Sequence, residues 1–428
     1  MPCRGVWPAF GRHSAHGDDR LRAAAAADTL SDQLVRLSKS LVLVVLLVAL
    51  GGCSTLSYVA QAAGGQWELA GSARPIPEVI EDPATAPLTR RLLSEVEGVR
   101  RFAWQNGLDV SGNYERYVEL DRDYPIWFVN ASRPLEFRAR LFSFPIIGSF
   151  PGLSWFDKAD AERFRDSLAA QGLDVNMRGV SAFSTGGWFD DPIVWSMLSD
   201  APGALASLVN TVLHESLHAT VLIKDQQYYN ESLAAFVGDT MAAHYLQARS
   251  GEQMPAELRA YLANRRLGER RAQQLNAVYA RLDAVYTSDL PDEQKYARKR
   301  EIIDQLVRDM RLGNRPNNAT LIGFKLYQVG RDDFSALFGA CGHDWRRFLT
   351  AAGSLQTKDF GQPQRAEFGP VVSALSARGC PTEVRPLEPF AMPDRRWRSK
   401  EQRRIDALRA SARRVARRRA ACAAAGGC

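Results

Sequence analysis

Residues 201–223 read APGALASLVNTVLHESLHATVLI, and this stretch decides how the whole chain is interpreted. Apolar residues dominate it, so it predicts a long buried helix with Asp200 as its cap and Pro202 in its first turn. His214 and His218 are four residues apart. Because residues at that spacing share one face of a helix, both imidazoles are expected to project side by side.

The string HESLH at residues 214–218 is an H-E-x-x-H motif, in which two imidazoles bind one Zn²⁺. Glu215 is then not a ligand but is placed to accept a proton from water. Polar residues recur along the apolar helix at spacings of three and four: Ser207, Asn210, Thr211, His214 and His218. Since buried polar groups without partners are costly, this stripe indicates a ligand or a wet cleft. A solvated helix face with two ordinary histidines is the alternative.

A catalytic zinc needs three protein ligands and one open position. The metzincin pattern would place Gly at 221 and His at 224, and Val221 and Lys224 exclude that subclass. Glu231 is the better candidate, because it lies in the first turn of a second predicted helix, residues 230–250, with Asn230 as N-cap. Asn230-Glu231 resembles the Asn-Glu pair that supplies the third ligand in thermolysin-like zincins (gluzincins). Alternatively, Glu231 only complements the helix dipole.

Two more residues of the second helix could serve the metal site. Asp239 either hydrogen-bonds a liganding imidazole and fixes its tautomer, or is a solvated acid. His244 is a weaker ligand candidate, because its position along the helix puts it about 20 Å from Glu231.

Several segments resemble a family of predicted bacterial zinc aminopeptidases, many of which are lipoproteins: residues 214–239, 144–148 and 182–192, and Asn317-Asn318-Ala319 followed by Tyr327 and Phe334. The resemblance covers about residues 55–350. It implies a gluzincin-like peptidase with zinc on His214, His218 and Glu231 and with Glu215 as general base. The fold expected is α+β and mostly helical, a thermolysin-like zincin core in which a small sheet packs on the H-E-x-x-H helix, with a helical hairpin and C-terminal helices.

Peptide hydrolysis also requires groups that hold the substrate. Residues 181–188 are a candidate edge strand for an extended peptide, with Ser184, Gly186 and Gly187 as substrate-binding residues. The alternative is a core strand that ends in a turn. An exopeptidase would further need an acid near the substrate's amino group, for which Asp190 or Asp191 could serve.

A hydrogen-bond donor for the developing oxyanion is the last requirement. Three tyrosines are candidates: Tyr228, Tyr229 and Tyr327. Tyr327 is preferred as the catalytic donor because it follows Asn317-Asn318 in the segment that resembles the family. Each of the three could instead simply pack in the core.

The expected function is zinc-dependent peptide hydrolysis in the cell envelope by an aminopeptidase, with a peptide or protein as substrate and Zn²⁺ as cofactor. Two alternatives remain open. One is a zinc endopeptidase that acts on envelope proteins, and the other is a non-catalytic lipoprotein with a zincin fold.

The amino-terminal part reads as a sorting signal. Residues 41–50, LVLVVLLVAL, are uniformly apolar, but as a helix they span only about 15 Å, too short for a bilayer. Gly51-Gly52-Cys53 follows at once and resembles a lipobox, so Cys53 is the expected lipidation site. Ser54 then favours an outer-membrane anchor that faces the periplasm. A plain secretory signal with an incidental cysteine is the alternative.

The composition and hydrophobic pattern along the chain predict six consecutive segments. They are a signal peptide (1–52), an N-terminal α/β part (53–200), the zinc-site helices (201–250), a charged helical hairpin (251–315), a C-terminal helical part (316–385) and a basic tail (386–428). Within the hairpin, helices are expected at residues 257–286 and 292–311. Residues 180–184 are a strand candidate. Cys341 and Cys380 are the expected disulfide inside the folded part.

The net charge of +7 does not make this a nucleic-acid-binding protein. Residues 395–419 alone carry +10, so the rest of the chain sums to −3. The tail could contact anionic lipids or polyanions at the envelope, or be a solvated basic helix. No nucleic-acid partner is expected.

Overall fold

The computed structural model describes residues 58–110, 112–144, 148–182, 185, 190–250, 256–325, 330–384, 386 and 390. The chain divides into two compact units, residues 1–63 and 64–428. In the first unit the described residues, 58–63, are helical. No helix of the described ranges is both long and apolar enough to cross a bilayer. Several predicted features lie outside the described residues: the signal segment, Cys53, Ser184, Gly186, Gly187, Tyr327 and the basic tail from residue 391 onward.

Helices make up most of the described second unit. They are α1 (residues 64–72), α2 (Ile76–Glu81), α3 (Pro87–Gln105), α4 (Lys158–Ala169), α5 (Ala204–Thr220), α6 (Gln227–Ser250), α7 (Ala256–Tyr286), α8 (Asp292–Met310), α9 (Asn318–Lys325), α10 (Arg331–Ala340), α11 (Trp345–Ala352) and α12 (Gly369–Ala377). Two short 3₁₀ turns add Trp195–Met197 and Thr357–Phe360.

The strands form three small sheets, with orders β1-β2-β8, β6-β3-β7 and β4-β5. They are β1 (Arg74–Pro75), β2 (Arg116–Val118), β3 (Ile126–Ser132), β4 (Phe142–Phe144), β5 (Gly148–Phe150), β6 (Gly152–Trp155), β7 (Asp174–Val180) and β8 (Ile193–Val194). Only β2 and β8 run parallel among the described pairs, with Tyr117 opposite Ile193. The described part is therefore helical with small sheets, while the thermolysin-like core stays a prediction.

The buried core centres on α5, which packs against α6 and α3. Five of its large apolar side chains are fully buried: Leu208, Val209, Val212, Leu213 and Leu217. This burial explains why the helix forms without a side-chain cap, since tertiary packing supplies most helical stability in proteins. The polar residues on its remaining face are thereby carried into the protein interior.

The charged hairpin of α7 and α8 has a small apolar core of its own. Leu282, Ile303 and Leu306 are buried there, and Leu321 of α9 packs against them. The observed helix limits lie within one residue of the expected 257–286 and 292–311. The predicted disulfide is confirmed: Cys341, at the end of α10, is bonded to Cys380, 39 residues later.

Three local expectations were wrong. Asp200 does not cap α5, which begins at Ala204 after Gly203 in the left-handed region, at a φ of 88°. Asn230 is not an N-cap, because α6 begins at Gln227. The strand expected at residues 180–184 is β7, which ends at Val180, and the described residues of 181–188 lie outside any strand.

Candidate active site

The structure brings His214, His218 and Glu231 together. The Nε2 atom of His214 lies 3.5 Å from Oε2 of Glu231, and that of His218 lies 3.7 Å from Oε1. One donor atom from each of the three residues lies within 4.8 Å of the other two. Two imidazole nitrogens and one carboxylate oxygen are a donor set that zinc prefers, so the residues fit that ion.

The turn between α5 and α6 returns Glu231 to the histidines. The side chain of Asn230 bridges this turn, accepting a hydrogen bond from the Ile223 N–H (2.9 Å) and donating one to the Ile223 carbonyl (2.8 Å). Asp225 in the same turn adopts a φ of 58°, a conformation that Asp tolerates better than most residues. Asn230 therefore fixes the ligand helix by closing a turn, not by capping.

Two segments distant in sequence, at Ser149 and Gln364, hold this turn in place, and we call the contact the clasp (Ser149, Asp225, Gln227 and Gln364). Oδ1 of Asp225 accepts hydrogen bonds from the backbone N–H and the hydroxyl of Ser149, both at 2.7 Å. Gln364 donates through its side chain to the Ser149 carbonyl (2.8 Å) and through its backbone to the Asp225 carbonyl (2.6 Å).

The clasp reaches Glu231 through Gln227. Oε1 of Gln364 accepts from the Gln227 N–H at 2.9 Å, and the Gln227 side-chain amide donates to Oε1 of Glu231 at 2.5 Å. Gly148 makes room for it, because a Cβ there would come within 2.7 Å of Oδ1 of Asp225. The lack of a side chain at Gly148 thus leaves the space that the Asp225 carboxylate occupies.

Charge and burial set the ionisation of the three side chains that could hold a metal ion. Burial opposes ionisation of Glu231, but the two imidazoles and the Gln227 amide hold its pKa at about 2. Burial lowers the pKa of His218 to about 4. Burial also acts to lower the pKa of His214, yet its hydrogen bond to Glu231 prevails and the net shift is upward. Glu231 is therefore an ionised carboxylate that faces two nitrogens, as a metal ligand must be.

Glu215 lies on α5 beside these groups but is not one of the three. Burial, and then the charges of Glu231 and Asp191, raise its pKa to about 7 against the opposing effect of His214. A carboxyl group with a pKa near neutrality is suited to take up and release a proton. Glu215 also lies near enough to Tyr114 for its charge to raise the pKa of that phenol.

Asp239 holds a polar cluster behind His214. Its carboxylate accepts hydrogen bonds from Asn210 (3.0 Å) and Tyr261 (2.8 Å), and it forms an ion pair with Arg331 (2.8 Å). Its charge also contributes to the raised pKa of His214. Asp239 is thus a partnered acid and not a solvated one.

The other predicted candidates are placed elsewhere. The Tyr229 hydroxyl is buried and donates to the Ala352 carbonyl at 2.9 Å, which supports the packing alternative for this residue. Tyr228 lines a cleft with Arg365 and Glu367. His244 packs beside Trp345 and does not belong to the three-residue cluster.

The sequence interpretation missed Tyr114, Gln227 and Gly238. Tyr114 is fully buried next to Glu215 although the two are a hundred residues apart, a relationship that no local pattern carries. Gln227 is four residues before Glu231, a spacing that would have suggested contact had the helix start been placed correctly. Gly238, a glycine inside a helix, was a signal of close helix approach.

Comparison with known proteins identifies the family to which the chain belongs. Residues 57–367 match the family model described as "Putative aminopeptidase". No curated protein and no solved structure matches the chain.

Proposed function

Because the chain belongs to this aminopeptidase family, we propose that it is a zinc-dependent peptidase in which Glu215 is the general base. The observation that carries the proposal is the convergence of His214, His218 and Glu231, which lie on two helices and present three donor atoms to a common point. A carboxylate buried beside two imidazoles supports the proposal, because this donor set suits a zinc ion.

His214, His218 and Glu231 would hold the zinc ion. When bound, zinc supplies Lewis-acid chemistry, which polarises a carbonyl group and makes water more acidic. Gln227 steadies the third ligand through its hydrogen bond to Glu231, and the clasp steadies Gln227. Such supporting hydrogen bonds orient ligands and tune their basicity.

Glu215 performs the proton transfers. Its carboxylate accepts a proton as the oxygen of water forms a bond to the scissile carbonyl carbon. It then donates that proton to the nitrogen of the leaving amine as the carbon–nitrogen bond breaks. The raised pKa suits both transfers, because the group can be charged at the first step and neutral before the second.

The proposed substrate and cellular location rest on features of the sequence. We propose a peptide or protein substrate in the cell envelope, reached by a protein anchored through lipidated Cys53 to the outer membrane. Ser184, Gly186 and Gly187 stay the predicted contacts to the substrate backbone, and Tyr327 stays the predicted oxyanion donor.

The test compares the purified mature chain with Glu215→Gln, which keeps the size of the side chain but cannot accept a proton. Elemental analysis is expected to find about one zinc ion per chain in both proteins. Peptide turnover should fall by about a hundredfold or more in the variant. Glu293→Gln, an exposed glutamate of α8, is the matched control and should leave both unchanged.

Undiminished turnover in Glu215→Gln would exclude Glu215 as the base. A zinc-loaded chain that cleaves no peptide at all would instead favour the non-catalytic zincin-fold lipoprotein.

A further inference from the structure

Tyr114 and Asp191 are held side by side at one end of a small sheet. Tyr114 lies two residues before β2 and Asp191 two residues before β8, the strands that pair in parallel. The Tyr114 N–H donates to the Asp191 carbonyl at 2.8 Å, and the Asp191 N–H donates to Oδ1 of Asn113 at 2.8 Å. The two backbones are therefore joined directly, and the Asn113 side chain holds the Asp191 backbone as well.

Both side chains are buried in the protein. Tyr114 is 1% exposed and Asp191 2% exposed. Tyr114 has a φ of 60°, an uncommon conformation for an aromatic residue, and such strain clusters at functional sites. Its hydroxyl group is buried and has no hydrogen-bond partner within the described ranges. Burying a hydroxyl group without a hydrogen-bond partner is energetically unfavourable. The Tyr114 hydroxyl is therefore suited to bind a group of the substrate.

The phenol of Tyr114 lies near two acidic side chains. Burial, and then the charges of Glu215 and Asp191, hold the pKa of Tyr114 well above its ordinary value, so the phenol stays neutral. Two carboxylates and a phenol oxygen thus lie near one another, and all three can accept hydrogen bonds. A compact cation that carries several N–H donors complements this set.

The carboxylate of Asp191 is also tied to the segment expected to bind substrate. Its Oδ2 atom accepts hydrogen bonds from the backbone N–H (2.8 Å) and the hydroxyl (3.1 Å) of Thr185. Thr185 stands between Ser184 and Gly186 in the sequence. Asp190, the neighbouring acid, is exposed, and its carboxylate lies against Gly112 instead.

Building on the proposed peptidase function, we propose that Asp191 and Tyr114 bind the primary ammonium group of the substrate's amino-terminal residue and so direct cleavage to the first peptide bond. The α-nitrogen of a peptide is only about 2.5 Å from its first carbonyl carbon. An ammonium group anchored beside Glu215 therefore brings the first scissile bond to the base. A lysine side chain carries the same chemistry, but its nitrogen is several bonds further from any peptide bond.

The first measurement uses mixed-sequence pentapeptides with free or acetylated amino termini, read by mass spectrometry. Zinc-loaded wild-type protein should remove the first residue of free peptides and leave acetylated ones intact. Asp191→Asn should lower kcat/KM on free peptides by about thirtyfold or more, since it removes a buried charge partner. Zinc content should not change. Asp289→Asn, at an exposed aspartate between α7 and α8, is the control and should retain full activity.

The second measurement is binding without turnover. Amino alcohols carry an ammonium group but no scissile bond, and calorimetry gives their Kd directly. Asp191→Asn should weaken their binding by about thirtyfold or more. Tyr114→Phe keeps the ring and its packing, and should weaken binding by about fivefold. N-acetylated amino alcohols should bind wild type and both variants equally weakly. If Asp191→Asn does not fold, Tyr114→Phe decides.

The result that would overturn ammonium binding by Asp191 and Tyr114 differs from the result that would overturn the peptidase function. Equal cleavage of free and acetylated peptides, or an unchanged preference in Asp191→Asn, would overturn the inference and leave the peptidase intact. Cleavage of acetylated peptides next to lysine would show that the ammonium recognised is a side chain, which also overturns it. If no peptide is cleaved at all, the peptidase proposal fails, while the binding of amino alcohols still tests Asp191 and Tyr114.

Discussion

Gly238 of α6 lies so close to His214 of α5 that a side chain at residue 238 would require the two helices to shift apart. A Cβ at Gly238 would come within 3.1 Å of the Cβ of His214 and of the Asn210 carbonyl oxygen. Both are parts of α5 that cannot rotate away. The absence of a side chain at residue 238 is what lets the helix that carries Glu231 approach the helix that carries the histidines.

Gly238→Ala should therefore push the two helices apart and cost about 1–3 kcal/mol of unfolding free energy. Zinc affinity, measured by competition with a chromophoric chelator, should fall with it. The matched control is Gly268→Ala in α7, where nothing lies within 4 Å of the added Cβ. That variant should gain up to about 1 kcal/mol from helix propensity and keep its zinc affinity. Equal behaviour of the two variants would contradict the close-approach argument.

Removal of metal should lower the melting temperature of the protein. A ligand that binds only the folded state at about a thousand times its Kd adds about 4 kcal/mol of stability. Thermal unfolding after treatment with a chelator should occur at a lower Tm, and added zinc should restore it. Glu231→Gln should respond much less to zinc, because one ligand is lost. A Tm that ignores zinc in the wild type would count against the metal centre.

Asp239→Asn should weaken zinc binding by about tenfold or more, as expected for a carboxylate that supports liganding residues. The variant loses the ion pair with Arg331 and changes the charge near His214. Tyr261→Phe, which removes one hydrogen bond to the same carboxylate, is the control. It should cost about 1 kcal/mol of stability and leave zinc affinity nearly unchanged. Both quantities come from chemical unfolding and chelator competition.

Asp225→Ala should open the clasp. The variant loses two hydrogen bonds to Ser149 and places alanine at a positive φ, which together cost about 2 kcal/mol or more. Asp225→Asn keeps an acceptor and tolerates the left-handed conformation, so it should retain most of the stability. If alanine and asparagine are equivalent in unfolding experiments and in zinc affinity, the clasp does not position Glu231.

The sequence predicted those parts of the site that depend on local geometry. Residues four apart on a helix must share a face, so His214 and His218 could be paired without a structure. Glu231 was reached because Asn230-Glu231 resembles the Asn-Glu pair of thermolysin-like zincins, and the helix start was misplaced because Asn230 is a favourable N-cap residue. Its side chain instead bridges back to Ile223, a tertiary contact that overrides the local preference.

The rest of the site depends on contacts between distant segments. Tyr114 meets Asp191 because two very short strands, β2 and β8, pair in parallel. Strands of two or three residues have no detectable periodicity, so the sequence alone could not bring Tyr114 to Glu215. The disulfide between Cys341 and Cys380 was accessible because few cysteines lie within the folded part, and pairing them needed only the redox argument.

The clasp also has a consequence for the order in which the protein matures. A growing chain already contains both histidines and Glu231 once it has passed residue 231, yet Gln364, which anchors Gln227, is synthesised more than a hundred residues later. A partly made chain thus contains the three proposed zinc ligands but lacks Gln364, which holds Gln227 in place. At the proposed zinc site, metal binding is therefore expected to follow synthesis of Gln364, and the proposed hydrolytic activity would begin only after that.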